Sequence, residues 1–188
     1  MSDTSRLFFA LWPDDETRQA LAELSRSLEY VDFKQVRSYN FHVTLVFLGQ
    51  VSAETVCLLK QAVEGVAAQP FELCFDSLTY WSSSRILCLT CLRPAEDEPM
   101  GEGVATQGTF AEAGVLASAL QAAAVSCGLR ADPRPYVPHI TLARHVRYLP
   151  DIKIEPIIWR AEAFCLVESS SESDGVRYEV LQKWPFIK

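Results

Sequence analysis

His42-Val43-Thr44-Leu45 recurs as His139-Ile140-Thr141-Leu142, and the two copies hold two of the chain's three histidines. Each copy lies in an apolar, β-branched run, FHVTLVFLG at 41–49 and VPHITLAR at 137–144, which reads as a strand. Residues two apart on a strand share a face. His42 thus projects beside Thr44 and His139 beside Thr141, while Val43, Leu45, Ile140 and Leu142 turn toward a core. A neutral imidazole beside a hydroxyl combines proton transfer with hydrogen bonding to an anion. Two such sets flanking one substrate supply a general base and a general acid.

Other residues near the motifs carry weaker signals. Arg144 directly follows the second motif and can reach a phosphate, although strict alternation places it opposite His139. Phe9, Tyr39, Phe47 and Trp81 are candidates for stacking on a nucleobase, with Phe47 facing away from His42 by parity. The blander reading of these aromatics is core. His145 has no hydroxyl partner and falls toward a strand end, so it reads as a surface or supporting residue. A three-histidine metal site lacks tight ligand spacing, and no metal or cofactor is expected. The serine-rich stretches 82–84 and 169–173 lack a nucleophile-elbow context and read as turns.

Charge patterning points the same way. The chain carries −7 overall, which argues against wrapping long nucleic acid by electrostatics alone. Yet 33–53 contains Lys34 and Arg37 with no acid, and 133–150 contains Arg134, Arg144 and Arg147 with no acid. Both windows enclose a His-x-Thr motif. They favour an anionic ligand over a hard cation, which needs carboxylates that the windows lack.

The elements that must position these residues follow from periodicity and caps. RLFFAL at 6–11 reads as a strand, followed by a helix from about Asp14 with Leu21, Leu24 and Leu28 on one face. The first motif strand, 41–48, is closed by Gly49. A helix from near Ser52 aligns Val56, Leu59, Val63 and Val66. Segments 71–81 and 85–92 read as a hairpin across Ser82-Ser83-Ser84. The acidic stretch 93–108 reads as a mobile surface loop. A capping box, Thr109 with Glu112, opens a helix that ends at Gly128 with Leu116, Leu120, Ala123 and Cys127 inward. The second motif strand covers 137–143, and strands near 160–168 and 176–184 finish the chain.

This order predicts an α+β fold: two pseudo-symmetric lobes, each an antiparallel sheet with outer helices, facing a shared central cleft. At 188 residues it is expected to be one bilobal domain. The N-terminus lacks the basic and apolar regions of a secretion signal, and no run is long enough to span a membrane, so a cytoplasmic location is expected. The six cysteines lie mostly in apolar segments and read as reduced core residues. Cys88 and Cys91 match C-x-x-C, but on a strand-like run rather than at a helix start, so the structural reading leads.

With these motifs and flanks the chain resembles the two-histidine phosphoesterase superfamily, and within it the RNA 2′,3′-cyclic phosphodiesterase (2′-5′ RNA ligase) family. RLFFALWP at 6–13, FHVTLVFLG at 41–49, RPYVPHITLAR at 134–144 and the closing FCLVESS and YEVLQKWPF carry the resemblance across nearly the whole chain. It implies metal-independent hydrolysis of 2′,3′-cyclic phosphate ends to 2′-phosphomonoesters. Its substrates would be RNA ends, tRNA halves or small cyclic nucleotides, handled by a monomer with no membrane partner. 2′-5′ ligation would be the related transfer reaction. The resemblance also implies His42 as proton donor and His139 as proton acceptor, with Thr44 and Thr141 holding phosphate oxygens. By sequence alone the two histidines are equivalent. The rival class is a nucleotide- or RNA-end-binding module of the same fold without turnover.

Overall fold

The computed structural model describes residues 4–28, 33–90, 111–173 and 175–187. The acidic stretch 93–108, Cys91 and Thr109 lie outside these residues. The described chain runs β1 (Thr4–Leu11), α1 (Asp15–Ser27), β2 (Lys34–Gln35), a 3₁₀ turn (Ser38–Asn40), β3 (Val43–Ser52) and α2 (Ala53–Ala62). It continues with β4 (Phe71–Phe75), β5 (Ser77–Trp81), β6 (Ile86–Thr90), α3 (Ala111–Ser126), β7 (His139–Arg144), β8 (Ile157–Ala161), β9 (Ala163–Glu172) and β10 (Gly175–Pro185). Strands and helices alternate irregularly and every strand pair among the described residues is antiparallel, so the class is α+β as expected.

The main sheet runs β10-β9-β1-β3-β7-β6-β5, with β2 added to β7. Its two halves, β10-β9-β1-β3 and β7-β6-β5, meet where the motif strands β3 and β7 pair through Val43 and Ile140. The two histidine motifs therefore lie side by side at the centre of the molecule.

Local chemistry accounts for the helices. Asp14 caps α1, its carboxylate accepting from the Thr17 N–H at 2.7 Å, and Ser52 caps α2 by accepting from the Thr55 N–H at 3.2 Å. Leu21 of α1 and Leu59 of α2 enter the core, as do Leu28 and Val63, the residues that follow each helix. In α3, Ala113, Leu116, Ala117, Leu120 and Ala124 are buried at helical spacing, and this helix packs on β3. It stops at Gly128, whose φ of +84° permits the left-handed cap. No described helix is long and apolar enough to cross a membrane.

Three expectations change. Segment 71–81 is two strands broken at Asp76: β4 pairs with β8 in a separate two-stranded sheet, and only β5 forms the hairpin with β6. The break lets Phe71, Leu73 and Phe75 turn inward, with Phe75 stacked on Trp159 of β8 at 6.4 Å. Segment 160–168 likewise divides, β8 ending at Ala161 and β9 starting at Ala163, and β9 runs on through the serines at 169–171. Finally, β3 is not closed by Gly49. It continues to Ser52 through a bulge where Gly49 takes a φ of +75°.

Candidate active site

His42 stands one residue before β3, and His139 is the first residue of β7. Each is fixed in the same way. The His42 Nδ1–H donates to the Asn40 carbonyl at 2.7 Å, and the His139 Nδ1–H donates to the Val137 carbonyl, also at 2.7 Å. A proton held at Nδ1 leaves Nε2 of each neutral ring as the reactive lone pair. Thr44 Oγ1 lies 3.0 Å from His42 Nε2, so its hydroxyl donates there while the ring is neutral.

The pairing of Val43 with Ile140 determines how the motifs face each other. Carried one residue either way, this antiparallel register sets Thr44 across from His139 and His42 across from Thr141. All four then share the face opposite Val43 and Ile140, which are both fully buried. Thr44 and His139 indeed line one cleft of about 410 Å³.

Burial dominates the electrostatics. It lowers His42 to about 4; the bond to the Asn40 carbonyl works against this, while the charges of His139 and Arg144 add to it. His139 is also lowered, by burial first and then by Arg144, against its bond to Val137. Aromatic rings supply that burial. Phe8 and Tyr178 lie 4.9 and 5.0 Å from the His42 ring, Trp12 stacks on it at 5.9 Å, and the Trp81 ring meets His139 at 4.5 Å.

Arg144 overturns the alternation argument. Leu87 pairs with Ala143 but Cys88 pairs with Thr141, so Leu142 is an extra residue in β7. That bulge brings Arg144 to the histidine face, consistent with its charge acting on both rings. The first motif has the same defect: Phe9 pairs with Val46 and Ala10 with Thr44, which leaves Leu45 over. Phe47 is accordingly on the histidine side, half-exposed, with Arg6 over its ring at 5.0 Å. Phe47 and Arg144 thus occupy equivalent places, three residues after each motif threonine.

The remaining candidates divide. Phe9 is fully buried against Phe164 and Trp184, so it is a core residue and not a base-stacking one; its neighbour Phe8 faces His42. Tyr39 stays exposed on the 3₁₀ turn, its hydroxyl accepting from Arg37 at 3.0 Å. His145 lies beyond the end of β7 at a φ of +63° and is exposed. Arg134 belongs to a positive window by sequence, yet Asp132, one residue outside that window, holds it in an ion pair. Cys88 is buried, its thiol pushed up to about 12, and contacts Thr141 at 4.0 Å, which suits a structural residue.

Asn40 escaped the sequence reading. Its side-chain amide donates to the Val176 carbonyl at 2.7 Å and accepts from the Tyr178 N–H at 3.1 Å. It therefore ties the turn before His42 to β10, and with it the carbonyl that orients the imidazole. The asparagine two positions before His42 was visible, but its partners lie 136 and 138 residues away.

The family description "LigT like Phosphoesterase" matches residues 11–87, which include the first motif. A curated relative, the RNA 2′,3′-cyclic phosphodiesterase of Escherichia coli K12, is 30% identical over 98% of this chain and 98% of its own. The chain belongs to the LigT-like phosphoesterase family. Its fold matches the crystal structure of E. coli LigT in apo form with a TM-score of 0.80, at 27% identity over the whole of both chains. The E. coli LigT structure with 3′-AMP gives the same TM-score and identity, over 99% of this chain and 100% of that one.

Proposed function

We infer that this protein is an RNA 2′,3′-cyclic phosphodiesterase that opens the cyclic phosphate to a 2′-phosphomonoester. The observation that carries the reading is the pair of His-x-Thr motifs on adjoining strands, each imidazole anchored through Nδ1 with Nε2 left to react. Water attacks phosphorus in line with O3′, and His139 Nε2 takes its proton. The P–O3′ bond breaks as His42 Nε2–H delivers a proton to O3′. Thr44, Thr141 and Arg144 hold the non-bridging oxygens as charge accumulates on them.

One feature supports His42 as the acid: Trp12 stacks on its ring at 5.9 Å, an aromatic face that favours the imidazolium. RNA ends and small cyclic nucleotides are the substrates, and an RNA 5′-hydroxyl in place of water turns the same machinery to 2′-5′ joining. Tyr39, exposed on the 3₁₀ turn three residues before His42, is assigned to the substrate's ribose or base.

Turnover of a 2′,3′-cyclic nucleotide in the presence of chelator, followed by phosphorus NMR, tests the reading. A 2′-phosphomonoester is expected. A 3′-phosphomonoester would reverse the leaving group, and binding without turnover would return the protein to the rival class.

A further inference from the structure

β1 carries the histidine face outward beyond the catalytic residues. Ala10, Phe8 and Arg6 alternate onto one side of this strand, and Phe8 identifies that side by meeting the His42 ring at 4.9 Å. Their partners across β3 are Thr44, Phe47 and Gln50. Three rows of side chains therefore lead away from the motif threonine: Thr44 with Ala10, Phe47 with Phe8, and Gln50 with Arg6. Leu7 and Phe9 alternate to the opposite side and are fully buried. Glu168 of β9 pairs with Leu7, so its carboxylate belongs to that opposite side and not to the side of Arg6.

Arg6 is exposed, and its guanidinium carbon lies 5.0 Å from the centre of the Phe47 ring. The guanidinium makes no ion pair or hydrogen bond with a described residue. Contact with an aromatic ring steadies an arginine while leaving its fork of N–H donors for an anion, and phosphate matches that fork. The mechanism does not use this cation.

Its position decides which phosphate it meets. The reacting phosphate is already met by Thr44, Thr141 and Arg144. Phe47, beneath Arg6, lines the same cleft as Thr44 and His139. Successive rows on one face of a strand are about 7 Å apart, so a cation over Phe47 stands one row out from Thr44. That is about the reach from one phosphate to the next along an extended strand. A cyclic phosphate ends its chain, so the next phosphate can only be the one on O5′ of the same nucleotide.

We propose that Arg6, held over Phe47, binds the phosphodiester on the 5′ side of the terminal nucleotide and so makes the protein prefer RNA ends to free cyclic mononucleotides. The subsite rests on the phosphodiesterase reading, but separate arms of one experiment test the two. Uridine 2′,3′-cyclic phosphate with a free 5′-hydroxyl tests the reading. Two dinucleotides ending in the same cyclic group, one with a phosphodiester linkage and one with an uncharged methylphosphonate linkage, test the subsite.

At low salt the wild-type protein should show a kcat/KM for the phosphodiester dinucleotide roughly fivefold above that for the methylphosphonate, the worth of a well-formed exposed ion pair. The ratio should shrink as salt rises. Arg6→Met should bring it close to one, and Arg6→Lys, which keeps the charge without the fork, should retain part of it. Thermal melting establishes that both variants fold, and the methylphosphonate comparison in the wild type needs no variant at all. Equal rates on the two dinucleotides in the wild type, or an undiminished ratio in Arg6→Met, would overturn the subsite while leaving the reaction standing. A loss in Arg6→Met that is equal on all three substrates would also overturn it, by placing Arg6 at the reacting phosphate or in folding. Should the mononucleotide and both dinucleotides bind without turnover, the phosphodiesterase reading fails; the same ratio is then read from the dissociation constants of the two dinucleotides, and the subsite stands or falls on that.

Discussion

The pH dependence should differ between kcat/KM and kcat, and the difference follows from the burial of the two histidines. kcat/KM reports the free protein, in which His42 titrates near 4 and His139 below its ordinary 6.5. The rate requires one ring protonated and the other neutral. A bell of that kind peaks midway between the two values, so kcat/KM should be highest at about pH 5 or lower. At pH 7 about one molecule in 10³ has His42 protonated. Bound substrate changes this balance. A phosphate charge about 4 Å from the ring is worth about 4 kcal/mol at an effective dielectric of about 20, or about 3 pKa units in favour of the imidazolium. The kcat profile should therefore peak at least one unit higher, approaching neutrality. Steady-state hydrolysis of a 2′,3′-cyclic nucleotide from pH 4 to 9 separates the two profiles. Arg144→Met adds a control. Its charge depresses both rings, so its removal should move the kcat/KM optimum upward whatever it does to the height. Coincident profiles centred near 6.5 in both parameters would refute the view that burial governs these groups.

Further outcomes are expected. His42→Ala and His139→Ala should each cost roughly 10²–10⁴ in turnover, and the double variant less than the product of the two, as single- and double-variant kinetics will show. Thr44→Ala and Thr141→Ala should be milder, each removing a hydrogen bond to charged oxygen worth about 1.5–3 kcal/mol in kcat/KM. Asn40→Ala releases the turn from β10; kcat should fall about tenfold with little change in KM, and a urea melt should show a loss of about 1–3 kcal/mol. Stability itself should fall in acid. Below pH 6.5 the unfolded chain protonates His42 while the folded protein resists until about 4, so His42 contributes a loss of about 3 kcal/mol across that window, and His42→Gln melts should keep only the part owed to His139.

Much of this protein is legible along the chain because the relevant physics is local. Strand alternation alone puts His42 with Thr44 and His139 with Thr141, and the caps at Asp14 and Ser52 start their helices because a side-chain oxygen meets an N–H three residues on. The α+β class follows from the same periodicities. What failed was whatever depends on a partner strand. A bulge exists only relative to the strand opposite, so the extra residues Leu45 and Leu142 leave no mark in the sequence, and both Phe47 and Arg144 were assigned to the wrong face. The division of 71–81 at Asp76 likewise depends on β8, whose pairing residues begin at Ile157. Asn40 looks like any turn residue until β10 closes over it. The one pairing of Val43 with Ile140 brings the two motifs to a common face, and no spacing rule specifies it. The residue types determined the chemistry available; long-range pairing decided which side chains meet to perform it, because register is a property of two strands and not of one.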